Sequence, residues 1–154
     1  MPGCDHQRRR LSRVQVASEL RPVGPYEILP YWALIREGLE KVRESSGDGW
    51  IAEDIYAALR QGSSQLYVGF DNGAYAGFLV LTAVQGYHDR RCHIWCAYSN
   101  DPHRDAIAAF MPQLEHLAQV MNARKITLCS PRRFDRRLAP LGFNATQTTY
   151  EKEL

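Results

Sequence analysis

No apolar run in this chain of 154 residues approaches the roughly 20 needed for a helix across a bilayer, so no membrane partner is expected. The opening Met1-Pro2-Gly3-Cys4-Asp5-His6-Gln7 lacks an apolar stretch, so no secretory signal is expected either. Cysteine is sparse. Cys4, Cys92, Cys96 and Cys129 are too few for a disulfide framework, and a reducing, cytoplasmic interior is expected rather than export. Charge of one sign is lacking too. Nineteen Lys and Arg face 17 Asp and Glu, and a net charge of +2 gives no reason to expect nucleic acid. What is present suits one domain: 45% hydrophobic and 10% aromatic residues argue against global disorder. A chain of this size can bury about 70% of the surface it exposes when unfolded.

Residues 1–10 carry Arg8, Arg9 and Arg10 and almost nothing apolar, and read as a mobile basic arm ahead of one domain at 11–154. Leu11 to Glu19 alternates β-branched and polar residues, a strand pattern. Pro30 suits the first turn of a helix over about 30–43, whose inner face is Tyr31, Ile35, Gly38, Leu39 and Val42. Ser45 to Gly49 reads as a loop. A second helix follows at about 50–61, with Ile51, Ile55, Ala58 and Leu59 on one face. Its Glu53 and Asp54 complement the helix dipole.

The strongest β pattern comes next. Leu66, Val68 and Phe70 alternate up to Asn72-Gly73, a pair that favours the positive φ angles of a tight hairpin turn. Ala74 to Val84 and Arg91 to Tyr98 continue as antiparallel strands. Asp101-Pro102 reads as the cap and first residue of a long helix to about Met121, kinked at Pro112. Lys125 to Cys129 is a short strand, about 132–139 a short helix, and Thr146 to Lys152 a last strand. The fold class expected is therefore α+β, a mainly antiparallel sheet flanked by helices. Strand, helix and strand from 91 to 129 permit one parallel crossover within it.

Two clusters invite other chemistry. Cys92, His93 and Cys96 suggest zinc, but cysteines four residues apart on a strand lie about 13 Å apart, too far for one ion, so no metal site is expected. Arg132, Arg133, Arg136 and Arg137 form the densest basic group. A solvated helix face is the plain reading; a phosphate, a nucleic-acid backbone or an acidic protein partner are the alternatives.

Three segments in this order resemble the GCN5-related N-acetyltransferase (GNAT) family over about residues 11–154. LYVGFDNGAYAGFLVL (66–81) resembles the family's central hairpin. HIWCAYSNDPHRDAIAAF (93–110) resembles its fourth strand and acyl-CoA pyrophosphate loop, and LAPLGFNATQTTYEKEL (138–154) resembles its ending. Arg132-Arg133-Phe134, with Leu138 and Gly142-Phe143, is most similar to short phage-encoded GNAT-like proteins.

The resemblance implies acetyl-CoA as cofactor and an amine as acceptor. It places cofactor contacts at Tyr98, Ser99, His103, Arg104, Asp105 and Ala106, with main-chain amides after residue 100 forming an open, positively polarised notch. Arg104 matches the family's basic residue, and Ala106 and Ala108 stand where it has glycines. Leu138 stands where the family often has a proton-donating Tyr, and the strand 91–98 lacks the usual carboxylate base. His93 and Tyr98 are the candidate catalytic substitutes. Two functional classes follow: an acyl-CoA-dependent N-acetyltransferase, or a catalytically silent GNAT-like protein with protein partners in an assembly such as a phage virion.

Overall fold

The computed structural model describes residues 18–130 and 135–154. The expected arm at 1–10, residues 11–17 of the first strand, Cys4, Arg132 and Arg133 lie outside the described residues.

Among the described residues, five strands form one sheet in sequential order. They are β1 (Ser18–Val23), β2 (Gln65–Asp71), β3 (Ala74–Gln85), β4 (Arg90–Ser99) and β5 (Lys125–Leu128). The first four pair antiparallel, and β5 joins β4 in parallel. Two helices, α1 (Leu29–Ser46) and α2 (Ala52–Gln61), cover one face; α3 (Ala106–Ala109) and α4 (Met111–Val120) cover the other. The class is the expected α+β, mixed but mostly antiparallel.

Sequence chemistry explains most of these elements. Asn72 and Gly73, at φ 49° and 81°, close the β2–β3 hairpin as the Asn-Gly pair predicts. Helix α1 has Pro30 in its first turn and ends at Gly47, φ 69°, whose N–H reaches the Arg43 carbonyl. It therefore runs through Ser45 and Ser46, which were expected in a loop. Their hydroxyls donate back to the Val42 and Arg43 carbonyls, so the polar pair continues the helix. In α2 the Asp54 carboxylate accepts from the Ile51 N–H at 2.9 Å. Ile51 is thereby the residue before the helix, exposed, and Ala52 takes its place on the buried face beside Ile55 and Leu59.

The long helix expected from Asp101 is corrected in two ways. Asp101 to Arg104 form turns, and the cap is Asp105. Pro112 does not kink a continuous helix. The chain breaks at Phe110, and Pro112 opens α4, where its missing N–H costs nothing. Near the C-terminus α5 (Asp135–Leu138) leads into a 3-10 turn over Ala139–Leu141 that ends at Gly142, φ 87°. The last strand expected at Thr146 to Lys152 is absent: residues 144–154 are exposed and in neither helix nor strand. Their Thr and Tyr residues favour strands, but no strand among the described residues pairs with them.

One core lies between the sheet and α1–α2, built on Ile35, Leu39, Ile55, Val68, Phe78 and Val80. The other lies under α3–α4, built on Leu79, Leu81, Cys92, Phe110 and Leu114. Close packing explains two glycines. A Cβ on Gly38 would meet Phe78 at 2.5 Å and Tyr98 at 2.7 Å, and one on Gly69 would meet the Phe110 ring at 2.5 Å.

Candidate functional site: a fork between β4 and β5

The sheet opens where β5 ends. Pairing of β4 with β5 runs only from Arg91–Lys125 to Ile94–Leu128. Beyond Ile94, β4 continues through Ser99 while still bonded to β3. Its other edge faces a cavity of about 370 Å³. Trp95, Cys96 and Ala97 of β4, Leu128 to Ser130, the loop after β4 and the close of α1 all contribute to its lining.

A bulge sets this geometry. Val80 pairs with Cys96 and Leu81 with Ile94, so Trp95 is the extra residue on β4. Cys92 and Ile94 consequently sit in the α3–α4 core, whereas Cys96 sits in the α1–α2 core. Cys92 and Cys96 thus lie on opposite faces of the sheet. Burial, and then the nearby Asp48 carboxylate, push the Cys96 thiol up to about 12, so this cavity-lining cysteine stays protonated at neutral pH.

The two candidate catalytic side chains stand beside the fork without lining the cavity. His93 lies one residue before the last β4–β5 pair, and its Nδ1 is 3.0 Å from the Thr127 hydroxyl. Burial lowers its pKa below the ordinary 6.5, so the ring is neutral near pH 7. Tyr98 is half-buried, its ring 5.5 Å from that of Phe78 and 5.9 Å from the Lys41 ammonium. Tyr75 lies near it with a buried hydroxyl, and burial, helped by Tyr98 and Glu37, pushes that phenol up to about 12.

The loop after β4 brings Ser99, Arg104, Asp105 and Ala106 to the cavity; His103 does not line it. The amides expected to stand open are engaged within the loop. The Asp101 carboxylate accepts from the His103 N–H at 2.9 Å, and the Asp101 carbonyl accepts from the Arg104 N–H at 3.1 Å. Asp105 Oδ1 accepts from the N–H groups of Ile107, at 2.9 Å, and Ala108, at 3.3 Å. Its Oδ2 lies 3.5 Å from Arg137 Nε. A carboxylate of the chain therefore occupies the donors that an incoming anion would need.

Arg104 is committed elsewhere as well. Its guanidinium pairs with Asp71 at the β2–β3 hairpin and donates to the Ser18 hydroxyl at 3.1 Å. Ser18 also donates to Asp71 at 2.9 Å, and Gln113 Nε2 donates to the Ser18 carbonyl at 3.1 Å. This network fastens the loop to the start of β1 and to α4. Sequence reasoning did not find Ser18, Asp71 or Arg137 as partners, because only the fold brings such distant positions together. No group of three His, Cys, Asp or Glu side chains suited to a metal occurs among the described residues. No helix among them is long and apolar enough to cross a membrane.

No family model matches the sequence, and no curated protein matches it significantly. Solved structures do match in three dimensions. A ribosomal-protein-alanine N-acetyltransferase from Brucella melitensis biovar Abortus 2308 superposes with a TM-score of 0.65 at 14% identity, covering 90% of this chain and 99% of that one. A GCN5-related N-acetyltransferase from Ralstonia eutropha JMP134 gives 0.65 at 18% identity, over 89% and 99%. An acetyltransferase from Trypanosoma brucei gives 0.60 at 18% identity, over 90% and 100%. Identities this low speak for the fold alone. The phage relation expected from the C-terminal motif has no counterpart in these three. With its strand order, its forked β4–β5 pair and these neighbours, the chain has the GCN5-related N-acetyltransferase fold.

Proposed function

We propose that the protein is an acyl-CoA-dependent N-acetyltransferase acting on an amine, with a weakened hold on the diphosphate end of its cofactor. One observation carries this reading: β4 presents an unpaired edge to a cavity at the fork. The outward N–H and C=O groups of Trp95 to Ser99 can pair with the amides of a pantetheine arm as a missing strand would. The Leu128 to Ser130 side closes over the arm's other flank. Acetyl-CoA, when bound, supplies an acetyl group activated as a thioester.

The chain's own residues supply positioning and proton handling. His93, neutral and fixed on Thr127 beside the fork, offers a lone pair to take a proton from an ammonium or a bridging water. Tyr98, with Lys41 near its ring, is the candidate donor. Ser99, His103, Arg104, Asp105 and Ala106 are the candidate cofactor contacts. Of these, Arg104 must leave Asp71 and Ser18, and Asp105 must release the Ile107 and Ala108 amides, before the diphosphate end can be held, which is why that end is weak.

A calorimetric titration with acetyl-CoA, followed by a free-thiol assay over a panel of amines, tests the reading. Heat of binding and thiol release with at least one amine are expected. No heat at millimolar acetyl-CoA overturns the proposal.

A second reading, a catalytically silent scaffold, is favoured by the filled loop: Asp105 on the amides and Arg104 on Asp71 stabilise the loop without a ligand. Its concrete form is an assembly component with protein partners, a virion role being drawn from the C-terminal motif. Such a protein releases no thiol and co-purifies with particles.

A further inference from the structure

We propose that Asp48 anchors a second, non-reacting ammonium of the acceptor, which makes the substrate class a diamine or polyamine rather than an amine of single charge. The inference rests on the acetyltransferase reading for the reaction, but the binding it describes is measurable without turnover.

The cavity at the fork spans the sheet. Val42 and Ser46 come from α1, which covers one face, and Ala106 and Ile107 from α3, which covers the other; all four line it. Its two arginines already have carboxylate partners, Arg104 on Asp71 and Arg137 on Asp105. The lining from α1 and the turn after it holds no cation: it is Val42, Ser45, Ser46 and Asp48. The one basic side chain in the last turn of α1, Arg43, is held by Glu40 at 2.8 Å.

Several features there favour a cation. The end of α1, closed by Gly47, is the negative end of the helix dipole. The Ser45 and Ser46 hydroxyls donate back to the Val42 and Arg43 carbonyls, so their own lone pairs face outward. Asp48 Oδ2 accepts from the Trp50 indole N–H at 3.1 Å, which orients the carboxylate; no Lys or Arg among the described residues pairs with it. The bulge on β4 adds an aromatic face. Trp95, its extra residue, is half-buried, packs on the α1–α2 side and lines the cavity. The charge of Asp48 is felt at Cys96, next to that bulge.

The cation drawn here is not the reacting nitrogen. A nitrogen that attacks a thioester must first lose its proton, and a carboxylate beside it would hold that proton on. Asp48 therefore suits a second ammonium on the same molecule, while the first lies uncharged at the fork. A flexible diamine or polyamine meets both demands.

Titration with 1,5-diaminopentane and with 1-aminopentane, followed by the tryptophan indole N–H signals in NMR, tests this on the full chain and on Asp48→Asn. Position 48 is exposed and asparagine keeps an acceptor for Trp50, so the variant folds. In the wild type the diamine is expected to shift Trp50 and Trp95 but not Trp32, which packs on Tyr56 and does not line the cavity. It should bind about fivefold more tightly than the monoamine, the upper range for a solvent-facing charge pair. D48N is expected to bind the two amines alike. Equal affinities in the wild type, a preference that survives D48N, or no indole shift at millimolar diamine each overturns the proposal. A free-thiol assay with acetyl-CoA and the same diamine reports separately on the acetyltransferase reading.

Discussion

Asp105 holds the loop after β4 by doing what an anion would do, and two substitutions separate its effects. Asp105→Ala removes the acceptor of the Ile107 and Ala108 N–H groups. Losing such a cap costs about 1 kcal/mol, or about 3 °C in melting temperature for a chain of this size. The Arg137 contact adds little, since that arginine is 57% exposed and its pairing is screened. Asp105→Asn keeps a good cap and removes only the charge, so its melting temperature stays close to wild type. For a bound anion the charge is what counts. One negative charge removed at about 4 Å in a water-like dielectric is worth about 1 kcal/mol, or about fivefold in affinity. Scanning fluorimetry and calorimetric titration with coenzyme A read the two effects separately. D105N is expected to match wild-type stability and bind about fivefold tighter, and D105A to melt lower. If D105N binds coenzyme A no tighter than wild type, Asp105 is not the obstacle at the diphosphate end.

Four further outcomes are expected. Arg104→Ala takes the cation from the mostly buried Asp71 carboxylate, which keeps the Ser18 hydroxyl, and frees the loop, lowering stability by about 2 kcal/mol in a urea titration. Gly77→Ala would set a Cβ 2.0 Å from the Tyr98 carbonyl oxygen, so β3 and β4 must part there; a loss above about 2 kcal/mol is expected in the same titration. His93 has a folded-state pKa below the ordinary 6.5, so the unfolded chain binds its proton first. Stability therefore falls as pH drops below that value and levels off below the folded-state one, and His93→Gln should flatten this stretch of a melting-temperature profile. Of the three described cysteines, Cys129 is exposed while Cys92 and Cys96 are buried with raised pKa values. A disulfide reagent should label Cys129 in the native protein and the other two only on unfolding.

The layers of this fold are legible in the sequence because local chemistry and tertiary context agree there. Asn72-Gly73 can make little besides a hairpin, and Ile35, Leu39, Ile55 and Leu59 fall on one side of their helices at any nearby register. The fork is not legible. Both faces of β4 are covered, so Cys92, Ile94 and Cys96 are all buried, and their even spacing hides the bulge at Trp95 that turns the strand over. The cap was misplaced for a related reason. Asp101-Pro102 and Asp105 each suit a helix start, and the choice falls to Asp105 because Arg104 is drawn away to Asp71 and Ser18. Pro112 opens a helix because Phe110 is needed against Gly69, which ends the preceding turn. Residues 144–154 carry a strand pattern but pair with none of the five strands among the described residues, and a local pattern alone does not fix a partner.

The central claim is that the unpaired edge of β4 receives an acyl-CoA arm. Hydrogen–deuterium exchange with and without millimolar acetyl-CoA tests it residue by residue. Slowed exchange confined to the outward amides within Trp95 to Ser99, those not already bonded to β3, and to Leu128 to Ser130 is the predicted result. Unchanged exchange along β4 at saturating ligand would contradict it.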